Sequence, residues 1–201
     1  MVKYRPIFLL NGLCLIIVIA LLAYAKYLNP SAGALFMPPD FPNSPTEGLL
    51  TNIFQLLCAV PPFICAFSFA ILKNIKPQNK NNNFILCSAL LTLGFLINEE
   101  YRIHIIFLTL IGIQKFITIF IYALLGLYYG ISFRRQIITS TPYILLLFGL
   151  VLLICAISVD LLHLGSSYSA PLEGIPKLFS GINVALYFCL LCYNEVINSL
   201  K

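Results

Sequence analysis

The chain has 201 residues, of which 60% are hydrophobic and only 9% are charged, and its formal net charge is +5. A soluble globular chain carries about 25% charged residues, so this composition excludes a water-soluble domain as the main body of the protein. The basic residues do not cluster with aromatic residues and form no recognition motif, which excludes a nucleic-acid-binding module. The sequence predicts a single transmembrane domain over residues 1–201, with the lipid bilayer as its solvent.

The first predicted span covers residues 7–25 and follows two basic residues. Ala23-Tyr24-Ala25 resembles a signal-peptide cleavage site, but the apolar run is longer than the roughly 7–15 residues of a signal peptide's hydrophobic region. We therefore expect an uncleaved helix. Residues 28–48 contain five prolines and predict a loop without regular hydrogen bonding.

The second predicted span covers residues 49–72 and contains Pro61 and Pro62 near its middle. Proline leaves helix carbonyls without their usual donors and kinks the helix. Because lipid offers no donors to such carbonyls, we expect the two prolines to face neighbouring helices.

The next apolar stretch runs over residues 84–133 and is interrupted by the charged segment NEEYRIH. Each charge placed at the centre of a span costs roughly 2.5–3.5 kcal/mol, so the segment is expected at a membrane interface. This predicts a third span over residues 84–103, an interfacial turn near residues 104–113 and a fourth span over residues 115–133.

The fifth and sixth predicted spans cover residues 142–162 and 175–194, which completes an all-α bundle of about six transmembrane helices. With six spans both termini share one side, and eight of the twelve basic residues fall on that side. The positive-inside rule places this side in the cytoplasm, giving an N-in/C-in orientation. We expect a multi-pass protein of the cell membrane, either the bacterial cytoplasmic membrane or an equivalent energy-transducing membrane. The eight residues are Lys3, Arg5, Lys73, Lys76, Lys80, Arg134, Arg135 and Lys201.

All seven cysteines lie inside apolar runs, so they are interpreted as small buried side chains and not as an extracytoplasmic disulfide framework. Cys189 and Cys192 have the C-x-x-C spacing of a metal or redox pair, but no second pair accompanies them. Four amide residues lie within or near spans and predict hydrogen bonds between helices, which is the usual role of amides at such depth: Asn11, Asn52, Gln55 and Asn183.

Both histidines and four acids fall near the predicted extracytoplasmic ends of spans three to six. Glu100 and His104 are four residues apart, and Asp160 and His163 are three apart, so each pair shares one face if its helix persists. Carboxylate and imidazole on one face can bind a metal ion or hold a water molecule for general-base catalysis. The candidate catalytic and metal-binding residues are Glu100, His104, Asp160, His163 and Glu173.

Two other interpretations of the same residues stay open. Glu99 with Arg102, and Glu173 with Lys177, have the spacing of ion pairs along a helix, and an ion-pair network at the helix ends is favoured because no spacing here is as specific as HExxH. His104 or His163 could also bind a haem or a chlorophyll as an axial ligand.

The segments Glu99-Glu100-Tyr101-Arg102-Ile103-His104, Ile111-Gly112-Ile113-Gln114-Lys115 and Leu172-Glu173-Gly174-Ile175-Pro176-Lys177, together with Asp160, carry a resemblance. Over residues 84–195 the chain resembles a loose group of uncharacterised bacterial polytopic membrane proteins. In that group an acidic pair and a histidine precede a glycine turn. The resemblance implies the architecture and no activity, and Ile105 stands here where that group commonly has an acid.

Three functions are consistent with these patterns. The first is an accessory or scaffold subunit of a membrane assembly, favoured because the chain has no soluble domain and its site pattern is unspecific. The second is a membrane-embedded enzyme or ligand-binding protein that acts on a lipid or small substrate at the outer leaflet. The third is a haem- or chlorophyll-binding protein. Whether the chain is an enzyme is not decided by the sequence.

Overall fold

The computed structural model describes residues 5–27, 32–36, 46–78, 80–112, 114–161 and 169–200. Within these ranges every regular element is a helix and there is no β-strand, which confirms the predicted all-α class. The elements are α1 (Arg5–Tyr27), a short 3-10 helix (Ala32–Phe36), α2 (Leu49–Ile75), α3 (Lys80–Tyr101), α4 (Ile103–Ile111), α5 (Lys115–Ser132), α6 (Arg134–Ser140), α7 (Tyr143–Leu161) and α8 (Ser169–Leu200).

Within the described ranges, five helices are long and apolar enough to cross a membrane, judged by length and composition: α1, α2, α3, α7 and α8. About six spans were predicted. The remaining one, over residues 115–133, is present as α5, but its apolar run Phe116–Ser132 is shorter than the other five. The chain is therefore a helical protein with five candidate membrane spans, compatible with a membrane protein.

The connection between α3 and α5 differs from its prediction. Instead of an interfacial turn near residues 104–113, the structure has the nine-residue helix α4. Arg102 ends α3 in the left-handed conformation, at φ 47°, which is uncommon for a residue other than glycine. Its carbonyl accepts hydrogen bonds from the backbone N–H groups of Ile105 and Ile106 and so restarts the helix. Gly112, at φ 75°, follows the end of α4.

The prolines of α2 do not divide it, because one helix runs through Pro61 and Pro62. Both side chains are buried within the protein, which confirms that they face other parts of the chain.

In the described part of the predicted loop over residues 28–48, residues 32–36 form the 3-10 helix and residues 46–48 form a turn. The hydroxyl of Thr51 donates to the carbonyl of Phe36 over 2.7 Å, and the backbone N–H of Gly48 donates to the carbonyl of Ala34 over 2.8 Å. The 3-10 helix contains no proline, which explains why it is regular. The five prolines of the loop lie outside the described residues.

The helices group into two compact units, of which unit 1 comprises Met1–Phe54 and Leu145–Val184, and unit 2 comprises Gln55–Ile144 and Ala185–Lys201. In unit 1, two glycines allow close packing. A Cβ atom on Gly149 of α7 would lie 2.9 Å from Cγ2 of Val184 in α8, and one on Gly174 would lie 2.1 Å from the ring of Phe36. Glycine is therefore required where these elements meet.

Unit 2 contains a tightly packed aromatic group. The ring of Phe84 in α3 stacks on Tyr129 of α5 with 5.9 Å between centroids, and Phe133 contacts both rings with centroids 5.3 Å away. Phe84 is 1% exposed. Fully burying a phenylalanine stabilises a fold by roughly 1.5–3 kcal/mol, so this group is a main contact between α3 and α5.

Candidate functional site

The predicted extracytoplasmic residues are divided between the two units. Asp160, near the end of α7, and Glu173, in the first turns of α8, belong to unit 1, where both are half-buried and each interacts with a neighbouring group. Glu100 belongs to unit 2 and is exposed on the last turn of α3. His104 is the second residue of α4, but its side chain lies outside the described part of the chain, as does all of His163.

Among the side chains that the structure describes, no three His, Cys, Asp or Glu residues are grouped so that they could hold a metal ion. Because both imidazoles are outside that set, the predicted metal or haem site stays a prediction. Within unit 1, Asp160 and Glu173 flank the undescribed segment that carries His163, which keeps these three residues as candidates.

Lys177 has a defined position in unit 1. Its ammonium lies 4.9 Å from the centroid of the Phe54 ring, a cation–π contact that joins α8 to α2. Such contacts contribute roughly 0.5–2 kcal/mol depending on exposure. Lys177 thus helps to hold the start of α8, close to Glu173.

Two of the four amide residues predicted to join helices, Asn11 and Asn183, do so in unit 1, whereas Asn52 is exposed. The amide nitrogen of Asn183 donates to Oδ1 of Asn11 over 3.0 Å, and that of Asn11 donates to Oδ1 of Asn183 over 3.3 Å. Each amide also donates to a carbonyl of its own helix, those of Phe179 and Ile7. This reciprocal pair, with Asn183 1% exposed, confirms the prediction.

We expect leucine substitutions of Asn11 and Asn183 to be strongly coupled. Each single substitution leaves the other amide with a missing partner and should lower the free energy of unfolding by about 0.6–1.7 kcal/mol. The double variant should lose no more than one single variant, because both amides are then gone. Unfolding in mixed micelles measures this, with the exposed Asn52→Leu as the control that should change little. Fully additive losses would contradict the pairing.

Unit 2 contains a polar contact that the sequence did not reveal. The phenol oxygen of Tyr129 lies 2.6 Å from the hydroxyl of Ser88, and the Ser88 hydroxyl also lies 2.7 Å from the carbonyl of Phe84. The carbonyl can only accept, so Ser88 donates to it and Tyr129 donates to Ser88. Ser88 is fully buried. About two turns along the same pair of helices, the phenol of Tyr122 donates to the carbonyl of Gly94 over 3.2 Å.

Glu195 is a second residue of unit 2 that the sequence did not single out. It is 8% exposed, and its Oε2 accepts a hydrogen bond of 3.0 Å from the side-chain amide of Asn81. Asn81 is the second residue of α3, so the carboxylate is held at the positive end of that helix. The side-chain amide of Asn82 in α3 donates to the carbonyl of Lys76 over 2.9 Å. This hydrogen bond holds the short connection between α2 and α3.

The signals for these contacts were weak in the sequence. The segment KNNN precedes a predicted span, and asparagine is common where helices begin, but its partner Glu195 lies 114 residues away. Ser88 and Tyr129 are 41 residues apart, and only the register of α3 against α5 pairs them. Tyr129 itself is buried where α5 packs against α3.

The comparison with protein families is decisive for the identity of the chain. The family model described as a domain of unknown function, DUF8692, matches residues 10–191. The chain belongs to this family. No curated protein and no solved structure matches it.

The match begins within α1 and ends within α8, so it includes most residues of both units. Membership agrees with the resemblance to an uncharacterised family and assigns no activity. Any proposal about the function of this DUF8692 member therefore has to be based on the contacts within its own structure.

Proposed function

We propose that this DUF8692 protein is a six-span integral membrane protein that serves as an accessory or scaffold subunit of a membrane assembly. The observation that supports the proposal best is the use of polar side chains to join helices. Asn11 with Asn183, Ser88 with Tyr129, and Asn81 with Glu195 each connect two helices of one unit. Such contacts stabilise a fixed arrangement of helices.

The sixth span in this proposal is α5. Its 18 residues are about 27 Å long at a rise of 1.5 Å per residue, close to the hydrocarbon thickness of roughly 30 Å. The nine residues of α4 reach only about 14 Å, so α4 would lie near the interface and return the chain to α5. Its side chains Ile105, Leu110 and Ile111 are exposed, as suits contact with the outer leaflet.

The orientation in this proposal is N-in/C-in. Lys73, Lys76, Arg134 and Arg135 are exposed at the ends of α2 and in the first turn of α6, on the side assigned to the cytoplasm. The bacterial cytoplasmic membrane, or an equivalent energy-transducing membrane, is the proposed location. The acidic residues Glu99 and Glu100 would then lie at the outer face, where few basic residues are placed.

A scaffold subunit has a simple experimental signature. Mild extraction of the tagged chain from its native membrane should co-purify a second membrane protein at fixed stoichiometry, because exposed apolar helices such as α1 are available for contact. Native mass spectrometry of the extract measures the composition. A monodisperse monomer free of other protein, obtained from native expression levels, would contradict the proposal.

The second candidate function is a ligand-binding or catalytic role for Glu100, His104, Asp160, His163 and Glu173, with a lipid or a small polar molecule as substrate. It is favoured by the position of Asp160 and Glu173 on either side of the segment that carries His163, within one unit. Metal analysis and an absorption spectrum of gently extracted protein test it. A metal or pigment lost in His163→Ala, and retained in the exposed control Asn52→Leu, is the result expected from such a site.

A further inference from the structure

Two cysteines from distant parts of the chain meet in the core of unit 2. Sγ of Cys192 in α8 lies 3.7 Å from Sγ of Cys65 in α2, and the residues are 127 positions apart. Cys65 is 0% and Cys192 1% exposed, and both are free thiols. Ser68, buried one turn after Cys65, has its hydroxyl beside Cys192.

This pairing differs from the one that the sequence pattern indicates. Cys189 and Cys192 have the C-x-x-C spacing, but both lie within the long continuous helix α8, where the backbone holds them one turn apart. Cys192 instead donates its thiol hydrogen to Cys65 on another helix. The pair that can react is therefore Cys65 with Cys192.

We propose that Cys65 and Cys192 form a reversible disulfide that covalently joins α2 to α8, with a lipid-soluble quinone as the oxidant. The two sulfurs lie 3.7 Å apart and must approach to about 2.0 Å for the bond to form. Two thiols are oxidised to one disulfide. Both hydrogens and both electrons pass to the quinone, which becomes the quinol, so the reaction is balanced without a metal. This modification site goes beyond the scaffold role and does not depend on it.

The disulfide would fix α2 against α8 only under oxidising conditions. In the reduced state α2 and α8 are held only by non-covalent contacts, in a core that includes Leu72 and Leu191, which are 0% and 1% exposed. In the oxidised state the disulfide joins positions that are far apart in sequence. It therefore lowers the conformational entropy of the unfolded chain, which raises the free energy of unfolding. Because the thiols are buried, they should react more slowly than the exposed thiol of Cys155.

Membranes that contain the full chain are treated with a short-chain benzoquinone, blocked with an alkylating reagent and digested without reduction, and the peptides are identified by mass spectrometry. The expected product is the peptide pair linked through Cys65 and Cys192. It should form equally in Cys189→Ala and disappear in Cys65→Ala, where Cys192 is alkylated instead. The oxidised wild-type chain should also unfold at a temperature about 4 °C or more higher, a shift reversed by a reductant.

Two outcomes would overturn the proposal. One is a wild-type sample in which Cys65 and Cys192 are still unlinked after prolonged oxidation, when modification of the exposed Cys155 has long been complete. The other is a disulfide that joins Cys189 to either residue. Both are read from the wild-type protein, so the result does not depend on whether a cysteine variant folds.

Discussion

Replacement of Gly174 by alanine is expected to lower the free energy of unfolding by about 1–3 kcal/mol, the usual cost of overpacking. The new methyl group would lie 2.1–2.8 Å from three ring carbons of Phe36, distances that real contacts do not reach. The ring cannot simply shift with its backbone, because the carbonyl of Phe36 is held by the hydroxyl of Thr51. Unfolding of the purified protein in mixed micelles measures the effect.

Two matched variants make this prediction specific. Gly126 and Gly130 of α5 have no atom within 4 Å of an added Cβ, so alanine there should change stability by less than about 1 kcal/mol, and favourably if helix propensity dominates. Combining Gly174→Ala with Phe36→Ala should remove the clash. The double variant should then be no less stable than Phe36→Ala alone. Equal losses at Gly174, Gly126 and Gly130 would contradict the prediction, because the contact with Phe36 exists only at Gly174.

Ser88→Ala is expected to destabilise the protein more than Tyr129→Phe, although both remove the same hydrogen bond. Without Ser88, the phenol of Tyr129 is left buried with no acceptor, at a cost of about 1–3 kcal/mol. Without the phenol oxygen, Ser88 still donates to the carbonyl of Phe84, so the loss should be below about 1 kcal/mol. Unfolding free energies of the two variants measure the difference.

The double variant Ser88→Ala/Tyr129→Phe provides the control. Both polar partners are then absent, so it should be more stable than Ser88→Ala alone, even though it carries one more substitution. The aromatic stacking of residue 129 on Phe84 is preserved in all three variants. A greater loss in Tyr129→Phe than in Ser88→Ala would mean that the donor and acceptor are assigned the wrong way round.

The sequence predicted the helical class and the positions of most helices because long apolar runs have few alternatives in lipid. The apolar run in α7, for example, has no charged residue before Asp160, and both ends of this helix lie within one or two residues of the predicted ends. The same reasoning failed at α4. The charged segment NEEYRIH predicted the end of α3, but not that the residues after it form another helix, which begins after the left-handed backbone at Arg102.

The candidate site was predicted only as a set of residues at helix ends. Hydrophobic periodicity indicates which face of a helix is apolar. It does not indicate which residue of a second helix packs against a given residue on that face. For this reason the sequence suggested Asn11 and Asn183 as helix contacts but did not pair Ser88 with Tyr129. Glu195 was missed because an acid after an apolar run is ordinarily placed at the water interface, whereas here Asn81 and the start of α3 accommodate the buried carboxylate.

The proposed six-span arrangement requires the α3–α4–α5 corner to face the outside of the cell and the α2–α3 connection to face the cytoplasm. Single cysteines at Gln78 and Gln114, both exposed, can be introduced into a chain whose native cysteines are replaced by alanine. A membrane-impermeant maleimide applied to intact cells should label Gln114→Cys at once and Gln78→Cys only after permeabilisation. Labelling of both positions from the same side would contradict the six-span arrangement and, with it, the outer location of Glu100 and Glu173.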